Sequence, residues 1–401
     1  MTVHGAWQRT ARGAMLLGDD GVLRSTIFAE MSALATKTGA INLGQGFPDE
    51  EGPVEVLEAA RRAISDGHNQ YPPGLGMPVL RDAIAEHQHR FYDLALDPDR
   101  EVLVTAGATE ALAAALLALT DVGDEVVVFE PFYDSYAAIV ALAQANLVTV
   151  PLRGENYQPD LDELRDAVTD RTRVILLNNP HNPTGVQFDH DTLALIVELA
   201  HEHDAIIVSD EVYEHLVFDD PHTPIAALSG ARDRTVTISS GGKTFNTTGW
   251  KIGWATGPHE LIQAVTAVKQ YLTYVGGAPF QPAIAVGLGL GDDYFARLAS
   301  GLKQRCALLS SGLERAGFTV SRPDGGYFVI ADAAPLGFDD ADAAALALPE
   351  LAGVVGIPLT AFVRENNRAA FSSKLRFAFC KRVDLLERAV AQLGELKRPA
   401  N

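Results

Sequence analysis

The 401-residue sequence is poor in cysteine, and its two cysteines, Cys306 and Cys380, lie far apart along the chain. Two thiols with neither zinc-ligand spacing nor the spacing of a redox pair argue against a disulfide framework and a cysteine metal site. We therefore expect both residues to be buried as small apolar side chains.

Long apolar runs are also lacking. The longest run, residues 111–119, has nine residues, whereas a helix needs about 20 to cross a bilayer. The first thirty residues contain no apolar core of the kind that a signal peptide requires. We expect no membrane contact and a cytoplasmic location.

Positive charge is scarce as well. The chain has 32 Lys and Arg against 52 Asp and Glu, which gives a formal net charge of −20. Such a surface repels nucleic acid and anionic membranes, so an anionic ligand must be held by a local set of donors. With 47% apolar and 21% charged residues, the composition is that of a globular protein. Small-molecule binding fits it better than nucleic-acid binding.

Segments rich in Val and Ile alternate with helical patterns between residues 100 and 275, which is typical of parallel strands joined by crossover helices. The predicted class is therefore α/β. Strands are predicted at 101–105, 125–129, 174–177, 205–209 and 235–239, and helices at 109–119, 161–168 and 192–203.

The pattern changes after residue 289. We place a large domain at 46–290 and assign 1–45 and 291–401 to an N-terminal arm and a smaller α+β domain. The elements predicted in this last part are a long helix at 293–316, strands at 318–321, 326–330 and 374–379, and a helix at 384–396.

Polar or aromatic residues follow each predicted strand of the large domain. Because ligands collect at the carboxyl ends of strands in open parallel sheets, we expect these residues to meet at one edge. Each segment alone could be an ordinary turn or helix cap, but together they favour a ligand site. The segments are Ala106-Gly-Ala-Thr-Glu110, Glu130-Pro-Phe-Tyr133, Asn178 to Gly185, Asp210-Glu-Val-Tyr213 and Ser240-Gly-Gly-Lys243.

Lys243 follows two glycines and precedes a threonine, as in a nucleotide-binding loop. That loop also needs a glycine at the position of Thr237 and continues directly into a helix, whereas 245–250 carries β-branched residues and a glycine. Covalent chemistry is the better interpretation, since a lysine that loses its proton in an apolar or cationic setting can form a Schiff base with an aldehyde. Lys251 is a cation that could bind a phosphate and lower the pKa of Lys243.

A histidine-rich segment, His201-Glu-His203 with His190 nearby, could be taken for a metal site. Residues two apart on a helix point to different sides, and this segment ends a predicted surface helix. We predict no metal.

Four motifs follow one another along the chain: Asn178-x-Pro-x-Asn182-Pro-Thr-Gly, Asp210-Glu-x-Tyr213, Ser240-x-x-Lys243 with Gly-Trp-Lys251-x-Gly-Trp, and Leu375-Arg376-Phe377. In order and spacing they resemble the class I/II pyridoxal-phosphate aminotransferases of fold type I, over residues 42–396. The resemblance implies a large domain with a mostly parallel seven-stranded sheet sandwiched by helices, and a smaller α+β domain. It also implies ping-pong transfer of an amino group from an amino acid to a 2-oxo acid.

The resemblance implies catalytic roles for three residues. Lys243 would bind the cofactor aldehyde and move a proton. Asp210 would pair with the pyridine nitrogen, and Tyr213 would donate to the phenolate oxygen. The substrate carboxylate would bind Gly46, Asn182 and Arg376. Tyr71 would reach the cofactor from the other subunit of a homodimer. The other contacts to pyridoxal 5′-phosphate would come from Ala108, Thr109, Tyr133, Asn182, Asp210, Tyr213, Ser240, Lys243 and Lys251.

Two positions depart from the family pattern. Lys251 stands where the phosphate-binding cation is often arginine. Glu110 stands where many relatives have a small residue, so its side chain must turn away from the phosphate or cap the helix.

The substrate is suggested by longer stretches. Segments 42–49, 69–73 and 130–136 look most like the branch of kynurenine/glutamine transaminases and cysteine-conjugate β-lyases. Residues 269–282 resemble the actinobacterial N-succinyldiaminopimelate aminotransferases of lysine biosynthesis, so N-succinyl-LL-diaminopimelate and 2-oxoglutarate are the expected substrates. A kynurenine-, glutamine- or methionine-type transaminase, a β-lyase, and a regulator domain on the same fold stay open as alternatives.

Overall fold

A computed structural model describes residues 3–18 and 20–396 of the chain. The strands that it contains, in chain order, are β1 Ile41–Asn42, β2 Val102–Thr105, β3 Glu125–Glu130, β4 Asn146–Arg153, β5 Gln158–Pro159, β6 Thr172–Asn178, β7 Ile206–Asp210, β8 Thr235–Ser240, β9 Gly253–Thr256, β10 Thr319–Ser321, β11 Phe328–Asp332, β12 Val354–Val355, β13 Ile357–Pro358 and β14 Lys374–Ala378.

The α-helices are α1 Ala6–Gly13, α2 Ile27–Thr38, α3 Val54–Ser65, α4 Pro78–Tyr92, α5 Ala108–Leu119, α6 Ser135–Leu142, α7 Leu161–Ala167, α8 His190–Glu202, α9 Gly241–Thr244, α10 His259–Lys269, α11 Phe280–Leu288, α12 Asp292–Ala316, α13 Ala341–Ala352 and α14 Val383–Gly394. Several begin at a side chain that caps the first turn. Asp160 accepts hydrogen bonds from the backbone of α7, and Asp189 does the same for α8, which satisfies N–H groups that have no partner within the helix.

The large sheet has the strand order β2-β9-β8-β7-β6-β3-β4-β5. Neighbouring strands from β8 to β4 are parallel, while β9 runs antiparallel to both β8 and β2. The mostly parallel sheet expected from the sequence is confirmed. The two-residue β5, which pairs with β4, adds an eighth strand at one edge to the seven that were expected.

The central strands are buried on both faces of the sheet. On β3, Val127 and Phe129 belong to one hydrophobic cluster, while Val126 and Val128 belong to another on the opposite face. This division follows from the alternation of side chains along a strand. Because helices cover both faces, a strand rich in Val and Ile is stable here without polar positions.

The second sheet is antiparallel, with the order β10-β11-β14-β13. It shares a hydrophobic cluster with one face of the large sheet. The N-terminal segment joins this part of the protein, because β1 pairs with β12. In contrast, α1 packs against α6, where Gly13 lies close to Ala137. The domain limits at 45/46 and 290/291 stay a prediction.

Most element ends lie within two residues of the predicted ones. Lys243 lies in the single turn α9, which ends before Phe245, and residues 245–250 contain no α-helix. Both cysteines are buried, as expected. Within the described ranges, no helix has the length and apolarity needed to cross a bilayer. The cytoplasmic location stays a prediction.

Gly253 in β9 lies very close to the backbone at the start of α5, and a substitution there tests the importance of this close approach. A Cβ atom at this residue would lie 2.5 Å from the carbonyl carbon of Gly107 and 2.6 Å from the nitrogen of Ala108. We expect Gly253→Ala to lower the free energy of unfolding by about 1–3 kcal/mol through overpacking, measured by urea denaturation. The matched control is Gly249→Ala, where a Cβ would meet no atom within 4 Å. Equal stability of the two variants would contradict this role of Gly253.

Candidate active site

A cavity of about 220 Å³ lies at the carboxyl ends of the parallel strands. It is lined by nine of the ten residues predicted to bind the cofactor, so the strand-end segments do meet at one edge. These nine are Ala108, Thr109, Tyr133, Asn182, Asp210, Tyr213, Ser240, Lys243 and Lys251. Tyr71, the tenth, lies outside the cavity.

The Lys243 side chain is partly buried, and its amine is weakly bonded. Its only hydrogen bond within the described ranges is a long one, 3.4 Å, to the carbonyl oxygen of Gly46. The amine also lies 5.6 Å from the ring centre of Tyr213 and 5.4 Å from that of Tyr327. Burial lowers the pKa of Lys243, and the neighbouring Arg376 and Lys251 act in the same direction. The amine is therefore suited to act as a nucleophile.

Asp210 is the last residue of β7, and its carboxylate is buried. The hydroxyl of Tyr136 donates to Oδ2 at 2.7 Å, and the backbone N–H of Val212 donates to Oδ1 at 3.4 Å. Burial raises the pKa of Asp210 to about 6, although the bond from Tyr136 and the charge of Lys243 act against this rise. An acid in this position can attract a cationic N–H group in the cavity.

The first turn of α5 forms a cup of backbone N–H groups. Gly107, which precedes the helix, has φ 78°, a conformation that favours glycine. A Cβ atom there would lie 3.0 Å from Nζ of Lys251, so this ammonium lies beside the cup. The combination of a helix N-terminus and a cation suits a phosphate.

Glu110 does not line the cavity. Its carboxylate accepts hydrogen bonds from the backbone N–H of Ala106, at 2.6 Å, and from that of Thr273, at 3.1 Å. Of the two alternatives, the side chain thus turns away from the cavity; it ties the residue before Gly107 to α5 and also fixes the loop that contains Thr273.

Arg376 lies on β14, next to the cavity, and only 2% of it is exposed. Its guanidinium donates to Oδ1 of Asn182 at 3.1 Å and to the carbonyl oxygen of Gly44 at 3.0 Å. The guanidinium carbon lies 3.8 Å from the ring centre of Phe328. Burial lowers the pKa of Arg376 to about 10. Within the residues that the structure describes, the buried Nε has no hydrogen-bond partner, so one N–H of the guanidinium is unused.

Gly46 is tightly enclosed. A Cβ atom at this position would lie 2.2 Å from the ring of Phe328, and no side chain fits there without displacing that ring. Gly46 thereby brings its backbone close to both Lys243 and the aromatic neighbours of Arg376.

Tyr71 is on the surface, with 82% of the residue exposed. Its ring lies edge-on to Tyr274 at 5.8 Å between centres. Tyr271 and Leu272, which closely precede Tyr274 in the sequence, are also exposed. This apolar surface, formed by Tyr71, Tyr271, Leu272 and Tyr274, does not reach the cavity of its own chain.

The roles of several residues that shape the site were not predicted from the sequence. Tyr136 holds Asp210, and Asn178 accepts from the backbone N–H of Asn182 at 2.6 Å. His181 bonds to the hydroxyl of Thr184 at 2.8 Å and to backbone groups of Phe129 and Pro131, at the end of β3. The position of Tyr136, three residues after Tyr133 at the start of a helix, is a signal that could have found it.

A separate buried cluster lies outside the cavity. Nε2 of His87 and Nε2 of His215 are 2.6 Å apart. Together with Glu214, these residues form a group in which each offers one potential metal-ligand atom, and the three atoms lie within 4.8 Å of one another. The hydrogen bond between the two rings accounts for their approach. His203, considered above, instead contacts Asp170, while His201 contacts the carbonyl oxygen of Gly230. The absence of a metal stays a prediction.

Comparison with known proteins decides the family. The family model described as "Aminotransferase class I and II" matches residues 38–393. This chain belongs to the class I and II aminotransferases. The enzyme is therefore a transaminase, and members of its family use pyridoxal phosphate.

Individual relatives agree with this assignment. This aminotransferase is 52% identical, over 94% of its length and 97% of the relative's, to a "Probable N-succinyldiaminopimelate aminotransferase DapC" of Mycobacterium tuberculosis. It is 36% identical to a methionine aminotransferase of Escherichia coli, over 93% and 96% of the two chains.

Solved structures show the same fold. The structure of the N-succinyldiaminopimelate aminotransferase from M. tuberculosis matches with a TM-score of 0.90 at 52% identity, over 92% of this chain and 97% of the other. A methionine aminotransferase structure from E. coli matches with a TM-score of 0.92 at 34% identity, over 99% and 100%. The fold type I architecture is confirmed.

The buried ring of His181 predicts a pH dependence of stability. Burial lowers its pKa to about 3 from an ordinary value of 6.5, so below pH 6.5 the unfolded chain binds a proton that the folded one does not. Its contribution to stability is complete well above pH 6.5 and falls as the pH drops through this value, at a slope that approaches about 1.4 kcal/mol per pH unit. In urea denaturation, we expect the stability difference between the wild type and His181→Gln to shrink by about 1 kcal/mol on going from pH 6.5 to 5.5. A constant difference would contradict the burial of a neutral ring.

Proposed function

We propose that this transaminase uses pyridoxal 5′-phosphate, bound in the cavity at the strand ends, to move the amino group of N-succinyl-LL-diaminopimelate to 2-oxoglutarate. The observation that supports the donor is the 52% identity, over nearly the whole of both chains, to the M. tuberculosis protein named for that substrate. Methionine and kynurenine transaminases are related at 33–36% identity, and they supply the alternative donors.

The groups around the cavity suit this cofactor chemically. An aldehyde needs an amine of lowered pKa, which Lys243 has. A phosphate needs N–H donors and a cation, which the start of α5 and Lys251 offer. A substrate carboxylate needs a fork of donors, and Arg376 retains an unpaired Nε. The aldehyde, the phosphate and the substrate carboxylate are thus each assigned to a different group of the protein.

The cofactor would be held by four kinds of contact. Asp210 pairs with the ring nitrogen, Tyr133 stacks on the ring, and Tyr213 and Asn182 donate to the phenolic oxygen. The backbone at Ala108 and Thr109, together with Ser240 and Lys251, binds the phosphate. When bound, pyridoxal phosphate supplies an aldehyde for amine exchange and a cationic ring that takes up electron density from the α-carbon of the substrate.

Lys243 does the proton chemistry. Its neutral amine would take the proton from the α-carbon of the amino acid and deliver it to the aldehyde carbon of the cofactor, and the reverse transfer would serve the second half-reaction, since a base must lose its own proton before it can act. The low polarity around Tyr213 and Tyr327 favours the neutral form. Release of the first keto acid before the second binds gives a ping-pong sequence.

Arg376 orients the substrate. A guanidinium can bind a carboxylate through two parallel N–H bonds, which a lysine cannot. Its present acceptors, Asn182 and Gly44, hold the fork in place. In the proposed complex, Asn182 and the backbone N–H of Gly46 complete the carboxylate site.

The active unit is proposed to be a homodimer. The exposed apolar surface around Tyr71 is of the kind that marks a protein interface, and in a dimer Tyr71 would reach the phosphate of the partner subunit. Neither nucleic acid nor a membrane is expected as a partner, because the chain has a net charge of −20.

The donor assignment is tested by a panel of amino acids with 2-oxoglutarate as acceptor. We expect kcat/KM for N-succinyl-LL-diaminopimelate to exceed that for kynurenine, glutamine and methionine by at least about tenfold, since one or two well-made contacts give that much discrimination. A higher value for another donor would replace the substrate and leave the transaminase intact. Pyruvate released from cystathionine faster than amino transfer would instead indicate a β-lyase.

Arg376→Lys serves as the site variant in the same panel. We expect kcat/KM to fall about 100-fold for every donor, because the α-carboxylate loses its bidentate partner and shifts. The matched control is Arg382→Lys, at an exposed arginine that pairs with Asp384, and we expect it to leave kcat/KM unchanged. Equal values for the two variants would remove Arg376 from the carboxylate site.

A further inference from the structure

The carboxylate of Asp210 is bonded unequally at its two oxygens. Oδ2 accepts a hydrogen bond of 2.7 Å from the Tyr136 hydroxyl, whereas Oδ1 receives only the N–H of Val212 at 3.4 Å. Asp210 and Tyr136 both line the cavity. One oxygen is thus engaged by the protein, and the other has capacity for a stronger donor.

Tyr136 is held rigidly in this position. It lies in the first turn of α6, 3% exposed, and its ring is perpendicular to that of Tyr133 with 5.7 Å between centres. Tyr133 lies just before α6, so the two rings contact each other where the chain enters the helix. While Tyr133 faces the cavity, the hydroxyl of Tyr136 is directed at Asp210.

The charges around Asp210 make this hydrogen bond important. Lys243 stabilises the carboxylate, while the neighbouring Glu211 opposes its ionisation; the phenols of Tyr133 and Tyr213 also face it. Burial raises the pKa of Tyr136 well above its ordinary value, so this phenol stays a donor near neutral pH. A donor that cannot lose its proton favours the ionised form of the acid.

We propose that Tyr136 is a positioning residue: it keeps Asp210 ionised and fixes the carboxylate so that Oδ1 stays available to a cationic ring N–H in the cavity. The inference rests on the proposed function, because the ring is that of pyridoxal phosphate. It gives Tyr136 a role distinct from the stacking proposed for Tyr133.

The test is the affinity of the apo-protein for pyridoxal 5′-phosphate, measured by fluorescence between pH 5.5 and 8.5. In the wild type, binding should weaken as Asp210 takes up a proton near pH 6. Removing the donor in Tyr136→Phe raises the pKa of Asp210, so we expect the midpoint of this loss to move upward by about one to two pH units. The cofactor's own titration is common to both proteins and cancels in the comparison.

Tyr157→Phe is the matched control. This variant also removes a buried phenol hydroxyl, but that hydroxyl has no hydrogen-bond partner in the part of the chain that the structure describes. Its midpoint should equal that of the wild type. Urea denaturation of each variant shows whether a change of affinity reflects loss of folding.

The Asp210→Asn background separates positioning from packing. Asparagine has no proton to gain in this range, so the pH dependence of binding that remains in Asp210→Asn comes from other groups, and adding Tyr136→Phe should leave it unchanged. An equal additional shift would overturn the assignment, because Tyr136 would then act independently of Asp210. An unshifted midpoint in Tyr136→Phe alone would also overturn it while leaving the proposed function standing. Absence of cofactor binding by the wild type would overturn both.

Discussion

The register of three adjacent parallel strands, β6, β7 and β8, determines where the functional groups lie. Asn178, the last residue of β6, is paired with Asp210, the last residue of β7. The chain of β8 continues past this level to Ser240 and turns at once into the short helix with Lys243. Because the strands are buried on both faces, a slip of one residue would exchange the faces of every side chain. The acid, the amide and the lysine therefore hold their relative positions.

This placement forces polar groups into a poorly hydrated space, and the protein offsets the cost with directed partners. Asp210 has the Tyr136 hydroxyl, and Arg376 has Asn182 and the carbonyl of Gly44. Lys243 is the least satisfied of the three, with one long bond. An unpaired ammonium in such a setting is destabilised, and its neutral form is favoured. The same property makes the lysine reactive, so the site combines tightly held groups with one that is ready to exchange partners.

Much of the fold and of the site could be predicted from the sequence, because the informative residues directly follow the strands. The strand ends at Thr105, Asn178 and Asp210 are signalled by runs of Val and Ile that stop at polar residues, and parallel-sheet geometry then brings the segments together. Eight of the nine predicted residues that line the cavity lie in these strand-end segments, and the ninth, Lys251, precedes β9. The two-residue strand β5 was not predictable, since a pair of residues carries no periodic pattern.

Contacts between distant side chains could not be read from the sequence. Tyr136 and Asp210 are 74 residues apart, and Glu110 reaches Thr273 across 163. His87 and His215 meet across 128 residues. Each contact depends on how a helix packs on the sheet, which side-chain periodicity does not specify. Tyr71 does not line the cavity of its own chain, because it is predicted to contact the cofactor in the other subunit of a dimer.

The central claim is that the strand-end cavity holds pyridoxal phosphate through Lys243, and covalent trapping tests it most directly. The purified protein should be yellow, and sodium borohydride should fix the cofactor irreversibly to one residue. Peptide mapping by mass spectrometry should find the adduct on Lys243, and Lys243→Ala should acquire none. An adduct on Lys251, on any other lysine, or on no residue of the wild type would contradict the account.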